Sequence, residues 1–366
     1  MKKIKLLVVK YFFNLLYILF TVFGSYDRDL VTFVSNRDTE LYGGLKNMYK
    51  AFEENGDYKT RILTFRFERS FKGRILYMYH SIQGLYYLAK SGIFVVDDYF
   101  LPLHCVTKNE RNFVVQIWHA IGHLKKFGLS VKKNRTDVIK PHKNYDLAVV
   151  NADEDIIFFA EAFGMALENV KALGNPKCDS IINQRITHSK GSRTKVLYAP
   201  TYRTGSSDFS LSLIETFIRV FSDQVEEYDI TISLHPYVRL NQSKYPENIT
   251  FIQDGNKLES MLERFDLLIT DYSSILFDFV FFEKKIVLFT PDIKQYKEET
   301  GFYVDFEEYL KFPNYQDFNE LKVDLPHILT DKKINLTAKD LKKSTYKYVD
   351  GKNAQRVVNY LQEIKR

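Results

Sequence analysis

The sequence is poor in cysteine, with only Cys105 and Cys178 among its 366 residues. Two isolated cysteines imply no disulfide framework, and they fit a reducing, cytoplasmic compartment. Neither stands in a Cys-x-x-Cys spacing, which excludes the zinc sites built on that motif. The sequence also lacks a helix-turn-helix, a zinc finger and an aromatic RNA-binding motif, so we expect no nucleic-acid partner.

Long hydrophobic runs are also scarce. The apolar stretch near the N-terminus, residues 11–23, is interrupted by Asn14 and is too short to span a bilayer comfortably. Lysines precede and surround it, and apolar residues recur at helical spacing. These are Leu6, Val9, Phe13, Leu16, Phe20 and Phe23. We therefore predict that residues 1–25 form an amphipathic helix whose apolar face lies on the anionic inner leaflet of the cell membrane. A signal peptide and a helix packed on the folded body are the alternatives.

What is present indicates a globular protein with an anionic partner. Hydrophobic residues make up 45% and aromatic residues 15% of the chain, and its length is sufficient for two domains. The formal charge of +6 suits a nucleotide, an anionic lipid head group or nucleic acid, and by itself it does not choose among them.

Strand-like and helix-like segments alternate in two series, which indicates α/β folds with parallel sheets and right-handed crossovers. The strands expected in the first series are residues 31–35, 61–65, 93–97, 113–118 and 147–151. Those expected in the second series are residues 196–199, 230–234, 249–252, 267–269 and 286–289. A polar stretch over residues 174–191 separates the series. We therefore predict α/β domains over residues 26–175 and 190–366, with a cleft between them.

Residues 265–279 combine a buried strand, a polar turn and the start of a helix. Residues 267–269 suit a strand covered on both faces, and residues 270–274 supply hydroxyls, a carboxylate and backbone N–H groups. A helix beginning near Ser274 adds unpaired N–H groups and a dipole that favours an anion. The pattern predicts a phosphate site, although serine and aspartate are also common helix caps.

Two further strands of the second series deliver polar residues to the same edge of the predicted sheet. One runs into a turn that carries Thr201 and Arg203, and a guanidinium offers a planar fork of donors for phosphate. The other delivers His235. Each of these residues alone suits an exposed turn or a cap, but together with residues 270–274 they describe a phosphate site.

In the first series, a buried-looking strand runs directly into Trp118 and His119. A histidine at the carboxyl end of such a strand points into the crevice where α/β proteins bind ligands, and its pKa range suits proton abstraction from a hydroxyl. His123 follows, and Lys125 and Lys126 add positive charge nearby. A histidine hydrogen-bonded in a core is the alternative.

In order and spacing, these motifs together resemble the CDP-glycerol glycerophosphotransferases of wall teichoic acid synthesis, over about residues 114–309. The motifs are Trp118-His119 followed by Lys-Lys-x-Gly, Gly174-Asn-Pro-Lys-Cys-Asp179, Ala199-Pro-Thr-Tyr-Arg203, Leu234-His235 followed by Pro, Leu268-Ile-Thr-Asp-Tyr-Ser-Ser274 followed by Phe-Asp, and Gly301-Phe-Tyr-Val-Asp-Phe306. The resemblance implies a GT-B architecture of two Rossmann-like domains facing a cleft. It also implies monotopic membrane attachment and transfer of glycerol phosphate from CDP-glycerol with release of CMP.

The resemblance further implies roles for individual residues. His119 and His235 are the expected catalytic residues, and His119 removes the proton of the acceptor hydroxyl. The residues expected to bind substrate are Arg203, Thr201, Thr270, Asp271, Ser273, Ser274, Lys125 and His123. Phosphoryl transfer depends mainly on positioning and electrostatics, so we expect no metal and no cofactor beside the CDP-glycerol donor. Asp97 and Asp98 are interpreted as part of a loop.

Departures from the family pattern favour one branch. Polymerising members carry His-Gly-Thr-Pro-Leu-Lys, whereas Ala120-Ile-Gly-His-Leu124 stands here, Thr300 replaces an arginine and Phe312-Pro313 replaces Pro-Gly-Pro. This form resembles the primase branch, which adds the first glycerol phosphate to an undecaprenyl-diphosphate-linked N-acetylmannosaminyl-N-acetylglucosamine. The alternatives are a glycerol- or ribitol-phosphate polymerase, a GT-B enzyme that uses a nucleotide sugar, and a non-catalytic membrane-surface protein that binds nucleotide or polymer.

Overall fold

The structure is a computed structural model that describes residues 2–68, 70–131, 134, 137–184, 193–203, 207–224, 226–235, 238, 240–241, 244–246 and 248–365. The chain divides into two compact units. The first comprises Met1–Ser180 and Lys347–Arg366, and the second comprises Ile181–Tyr346. Each unit contains one parallel sheet with helices, which confirms the predicted α/β class.

The first unit holds one six-stranded sheet and the helices that cover it. Its elements are α1 (Lys2–Phe23), β1 (Asp27–Ser35), α2 (Gly43–Asn55), β2 (Lys59–Thr64), α3 (Phe71–Lys90), β3 (Ser91–Val96), α4 (Leu101–Cys105), β4 (Phe113–Gln116), β5 (Leu147–Val149), α5 (Asp155–Phe163), β6 (Val170–Lys171), α6 (Lys177–Ile182) and, after the second unit, α14 (Asn353–Lys365). The strand order is β2-β1-β3-β4-β5-β6, and all neighbours are parallel. All of β3 is buried because helices cover both faces of the sheet.

The second unit also holds a six-stranded parallel sheet. Its elements are β7 (Thr194–Ala199), α7 (Ser207–Phe221), β8 (Tyr228–Ser233), β9 (Ile249–Ile252), α8 (Gly255–Glu259), β10 (Leu267–Thr270), α9 (Ile275–Phe279), β11 (Lys285–Phe289), α10 (Ile293–Glu299), α11 (Phe306–Leu310), β12 (Asn314–Tyr315), α12 (Phe318–Thr330) and α13 (Lys332–Thr345). The strand order is β12-β11-β10-β7-β8-β9, so the sequence order reverses between β7 and β10. This is the doubly wound Rossmann arrangement.

The two faces of the first sheet have separate cores. Phe94 and Val96 of β3 join one cluster, whereas Ile93 and Val95 join the other, because successive side chains of a strand point to opposite faces. The first cluster is covered by α1, α3 and α5, and the second by α2 and α14.

The position of α14 differs from the predicted domain of residues 190–366, because this helix belongs to the first unit. The carboxylate of Asp179 accepts hydrogen bonds from the backbone N–H groups of Asn353 and Ala354, each at 2.8 Å, and so caps the helix. Buried apolar side chains hold the rest of α14 in place. Its side chains in the core shared with α2 are Ala354, Val357, Val358 and Leu361.

The inward and outward faces of α1 are opposite to those predicted. The expected lipid-facing residues pack on the folded body instead, with Phe13 buried and Leu6, Val9, Leu16 and Phe20 partly buried. Of the predicted set, Phe23 remains exposed. The prediction was wrong because α1 is apolar around most of its circumference, so spacing alone did not select a face. The exposed apolar residues at helical spacing are Ile4, Val8, Tyr11, Leu15, Ile18 and Val22.

By its length and composition, α1 could cross a membrane, in contrast to the short segment expected from the sequence. Its 22 residues rise about 33 Å. Polar contacts nevertheless join its middle to the first unit. Asn14 Oδ1 accepts from the Thr107 N–H at 2.8 Å, while the Tyr17 hydroxyl donates to Asn112 Oδ1 at 2.8 Å and accepts from the Asn109 N–H at 2.9 Å. These contacts hold α1 against the body of the unit.

Candidate active site

The predicted phosphate residues lie just beyond β7 and β10, where the second sheet reverses its strand order. The two strands pair in parallel, with Ala199 opposite Thr270. Their carboxyl ends therefore meet at one edge, and such a switch point is where open α/β sheets bind ligands. The structure thus brings the turns at residues 201–203 and 271–274 together, as the sequence predicts.

Arg203 is held by two carboxylates beside this edge. Its Nε and Nη2 donate to the two oxygens of Asp292 at 2.7 and 2.9 Å, and its Nη1 donates to Asp271 Oδ2 at 2.9 Å. The guanidinium lies 4.9 Å from the Tyr272 ring centroid and 5.2 Å from that of Tyr296. Burial opposes its charge, but the hydrogen bonds and charges of the two aspartates raise the pKa of Arg203 above its ordinary value.

This geometry corrects the role predicted for Arg203. Its side chain is 8% exposed, and each of its three nitrogens donates within the protein. Nη1 also donates to the Thr201 carbonyl at 2.6 Å. The guanidinium is therefore not an open fork for a diphosphate. It positions the turn at residues 201–203 against Asp271 and Asp292.

Asp271 and Thr270 shape the same turn from the other strand. The two carboxylate oxygens of Asp271 accept from the Thr201 N–H at 2.9 and 3.0 Å. The Thr270 hydroxyl is buried and donates to the Ala199 carbonyl at 2.7 Å. These contacts make both residues part of the scaffold that shapes the turn, and a contact with substrate stays a prediction. Thr201 Oγ1 is buried and has no partner within the described ranges.

Ser273 and Ser274 are the predicted phosphate residues that remain accessible. Both are partly exposed, and Ser274 makes no side-chain capping hydrogen bond to α9. Their backbone carbonyls accept from the N–H groups of Leu276 and Phe277 at 3.2 and 3.0 Å, which ties both residues to the start of α9. α9 spans five residues, so the helix dipole expected here is small, and the hydroxyls are the groups suited to bind an anion.

His235 follows β8 at the same sheet edge and is exposed. Its ring stacks on Tyr202, with the centroids 4.4 Å apart and the planes 15° from parallel. Burial of part of the ring lowers the pKa of His235, so the imidazole is neutral at pH 7. A neutral ring can exchange hydrogen bonds with a phosphate, but it does not offset charge as a cation would.

His119 lies beyond β4 at the carboxyl edge of the first sheet. Its Nδ1 is 3.2 Å from the Asp97 carbonyl, which can only accept, so Nδ1 carries the proton and Nε2 keeps a lone pair. The side chain is 29% exposed. Burial lowers the pKa of His119 to about 4, with the Arg37 charge acting in the same direction. His119 is therefore a neutral imidazole with an accepting nitrogen.

Two buried amides hold the backbone that carries His119. Gln116 Oε1 accepts from the Trp118 N–H at 2.8 Å, and Asn175 Nδ2 donates to the carbonyls of Ile117 and Trp118 at 2.7 and 3.2 Å. Trp118 has a φ of 46°, an uncommon backbone conformation for a bulky residue. Such strain persists where the surroundings enforce it, and it often marks a functional site.

Asp97 and Asp98, interpreted from sequence as part of a loop, lie beside His119. Asp98 Oδ1 is 3.8 Å from His119 Nδ1, and its other oxygen is 3.9 Å from Arg37 Nε. Asp97 is buried, which raises its pKa to about 7. The signal was available, because Asp97 ends one predicted strand, Asp98 follows it directly, and the next predicted strand leads into His119. Asp98 is placed to stabilise a protonated His119.

His123 has a structural role that the sequence did not predict. Its Nδ1 lies 2.8 Å from Asp155 Oδ1, its ring stacks on Phe158 at 4.4 Å, and its side chain is buried. The expectation that it binds substrate is therefore corrected. Lys125 is partly exposed in the following loop, and its substrate contact stays a prediction. Across the described residues, no cluster of three or more His, Cys, Asp or Glu side chains could hold a metal ion.

Comparisons with known proteins agree with this architecture. The teichoic acid ribitol-phosphate primase of Bacillus spizizenii is 28% identical, over 97% of this chain and 96% of its own length. The teichoic acid glycerol-phosphate primase of Bacillus subtilis strain 168 is 28% identical, over 78% of this chain and 77% of its own length. A solved structure of the wall teichoic acid polymerase TagF shares the fold, with a TM-score of 0.75, 18% identity, and coverage of 99% of this chain and 96% of that one.

The fold is thus the expected GT-B class. A sequence profile of one enzyme family matches residues 16–363, nearly the whole chain. The protein therefore belongs to the CDP-glycerol:poly(glycerophosphate) glycerophosphotransferase family.

Proposed function

We propose that this transferase is a teichoic acid primase. It moves glycerol phosphate from CDP-glycerol to a hydroxyl of a lipid-linked N-acetylmannosaminyl-N-acetylglucosamine and releases CMP. The observation that carries this proposal is His119, a neutral imidazole whose Nδ1 donates to the Asp97 carbonyl and whose Nε2 is left to accept a proton. The likeness to two primases over most of their lengths supports the primase role.

In the proposed reaction, the acceptor oxygen attacks the β-phosphorus of CDP-glycerol while the bond to the CMP oxygen breaks. His119 Nε2 takes the hydroxyl proton. An imidazole with a pKa near 4 is a weak base, so we expect proton transfer late, when bonding to phosphorus has acidified the hydroxyl. The carboxylate of Asp98, 3.8 Å away, then stabilises the imidazolium.

The hydroxyls of Ser273 and Ser274 are the proposed ligands of the donor phosphates, with His235 as a neutral hydrogen-bonding partner. Arg203 acts through the scaffold, because its donors are engaged by Asp271 and Asp292. We propose no resident metal or cofactor. Treatment with EDTA followed by gel filtration should leave CMP release unchanged, and restoration of a lost rate by added Mg²⁺ would contradict this.

The test of the proposed function is CMP release from CDP-glycerol with and without the synthetic lipid-linked disaccharide, with the product mass recorded. We expect acceptor-dependent release and the mass increase of a single glycerol phosphate. A ladder of masses would instead indicate a polymerase. Absence of release with any CDP-polyol would direct the search to nucleotide sugars.

CDP-ribitol is the second candidate donor. The specific observation in its favour is the likeness to a ribitol-phosphate primase, which covers 97% of this chain. The same assay with CDP-ribitol distinguishes the two, since a preferred donor has the higher kcat/KM with one fixed acceptor.

We also propose that α1 attaches the protein to the inner, cytoplasmic leaflet of the cell membrane. Its middle is hydrogen-bonded to the first unit through Asn14 and Tyr17, which favours a helix lying on the bilayer over one crossing it. Deletion of α1 would expose the core around Phe13, so point variants are the better test. Val8→Gln with Tyr11→Gln should lower vesicle binding.

A further inference from the structure

The N-terminal half of α3 presents an apolar surface that the protein core does not use. From residue 80 onward, its side chains are buried or partly buried. Before that point, large apolar side chains face outward, with Phe71 80% and Tyr79 61% exposed. The other exposed residues of this half are Ile75, Leu76 and Met78. Contiguous exposure of this kind marks an interaction surface.

α3 lies beside α1 and runs in the same direction. Near their C-terminal ends, the rings of Phe20 and Tyr86 are 5.6 Å apart. α1 leads into β1 and α3 into β3, these two strands are parallel, and both helices pack into the same core on one face of the sheet. The helices therefore run in the same direction, and their N-terminal halves lie at the same end. The exposed apolar residues of α1 at that end are Ile4, Leu7, Val8 and Tyr11.

The charge of the two helices is of one sign. Neither contains aspartate or glutamate, and the four lysines of α1 stand in its first half. In α3, Lys72 and Arg74 stand among the exposed apolar residues. A broad apolar surface bordered by cations, with long side chains that reach toward head groups, is typical of helices that bind an anionic bilayer surface.

We propose that the N-terminal half of α3 is a second membrane-docking element, which inserts beside the outward face of α1 into an anionic leaflet. The two form one α1–α3 surface. This inference rests on the proposed membrane attachment through α1 and extends it to a second helix. A second copy of the chain is a poorer occupant, since a symmetric contact would bring the cationic residues of both copies together.

The test is flotation of the full-length protein with vesicles of phosphatidylcholine, with and without phosphatidylglycerol. The variant Phe71→Gln with Ile75→Gln and Tyr79→Gln keeps good helix formers on α3. We expect its partition onto anionic vesicles to fall by about tenfold or more. The matched control is Val323→Gln with Leu336→Gln, two exposed apolar residues on α12 and α13, which should bind as the wild type does.

A charge variant, Lys72→Gln with Arg74→Gln, separates the electrostatic contribution to vesicle binding from the apolar contribution. It should weaken binding to vesicles that contain phosphatidylglycerol and leave binding to pure phosphatidylcholine unchanged. Circular dichroism confirms that each variant is folded. CMP release with a water-soluble acceptor is scored separately, so failure of the transferase proposal does not affect the vesicle result.

The outcomes distinguish the two membrane proposals. If the α1 variant Val8→Gln with Tyr11→Gln loses binding while the Phe71, Ile75 and Tyr79 variant does not, α3 is not a docking element and the α1 proposal stands. If neither variant loses binding, both proposals fail. If the α3 variant turns a dimer into a monomer on gel filtration and still binds vesicles, the surface is an interface between copies.

Discussion

At the residue scale, His119 obtains its protonation state from a backbone carbonyl and from burial. A histidine in water titrates near pH 6.5, whereas burial lowers the pKa of His119 to about 4. His119 is therefore neutral throughout the pH range in which an ordinary histidine becomes protonated. This makes the base insensitive to moderate acidification.

His119→Ala should lower kcat for CMP release by about 100- to 10,000-fold, the usual contribution of a general base. The wild-type rate at about pH 5.5 should stay close to that at pH 7, since protonation of His119 begins only near its lowered pKa. A pH–rate profile of wild type and variant checks both points. An acid limb near pH 6.5 that disappears in the variant would contradict the assignment of the neutral His119.

Arg203→Lys should destabilise the second unit by about 3 kcal/mol, because a lysine cannot bridge the buried carboxylate of Asp271 and the partly buried one of Asp292 at once. Chemical denaturation measures the loss of unfolding free energy. Arg219→Lys, on the exposed side of α7, is the matched control and should change it by less than about 0.5 kcal/mol. An equal loss of unfolding free energy in the two variants would mean that the hydrogen bonds of Arg203 to Asp271 and Asp292 do not specifically stabilise the second unit.

The residue identities at the sites were largely predictable, but several roles were not. Sequence reasoning selected Arg203 and His123 as substrate-binding residues. Their partners, Asp292 and Asp155, stand 89 and 32 positions away, so only the fold shows that both side chains are engaged. Ser273, Ser274 and His119 lie just beyond the carboxyl ends of strands, as the sequence predicts. The hydrophobic pattern alone shows where a strand ends, so these positions could be predicted.

At the element scale, α14 depends on a cap that comes from another part of the chain. The carboxylate of Asp179 accepts from the N–H groups of Asn353 and Ala354, which begin the helix. Asp179→Ala should therefore lower the free energy of unfolding by about 1–2 kcal/mol. Asp350→Ala removes an ion pair to Arg356 and an exposed hydrogen bond from the Lys352 N–H, and it should cost less, under about 1 kcal/mol. Thermal and urea unfolding of both variants give the comparison, and equal losses would rule out a specific capping role.

The sequence predicted the longer elements well and the short ones poorly. Strands such as β3 and β10 are continuous apolar runs, which identify them without further information. β6 and β12 have two residues each, too few to show any period. The helix α1 was recognised, but its two apolar faces could not be ranked until α3 and α4 were seen packed against one of them.

At the scale of the whole molecule, the first unit is completed by a helix, α14, that follows the second unit in the sequence. Truncation after Tyr346 removes Val357, Val358 and Leu361 from the core that they share with α2. We expect amide hydrogen exchange in α2 to lose its protection, because a large part of the apolar cover of that helix is gone. Protection in β10 of the second unit should persist. Retained protection in α2 would show that the first unit does not require α14.

The sequence alone could not predict that α14 belongs to the first unit. The amphipathic pattern of α14 indicates that one of its faces is buried, but it does not indicate in which unit. The second unit precedes α14 in the sequence and was therefore the expected choice. The deciding contacts are the Asp179 cap and the fit of Val357 and Val358 against α2, both of which join residues far apart in the chain.

The late position of α14 also sets an order of events during synthesis. All strands of the second unit, up to β12, are translated before α14. The first unit begins the chain, yet its second core lacks α14 until residues 353–365 emerge. Domains generally fold as units while the chain is made. The second unit is therefore translated in full before the helix that completes the second core of the first unit.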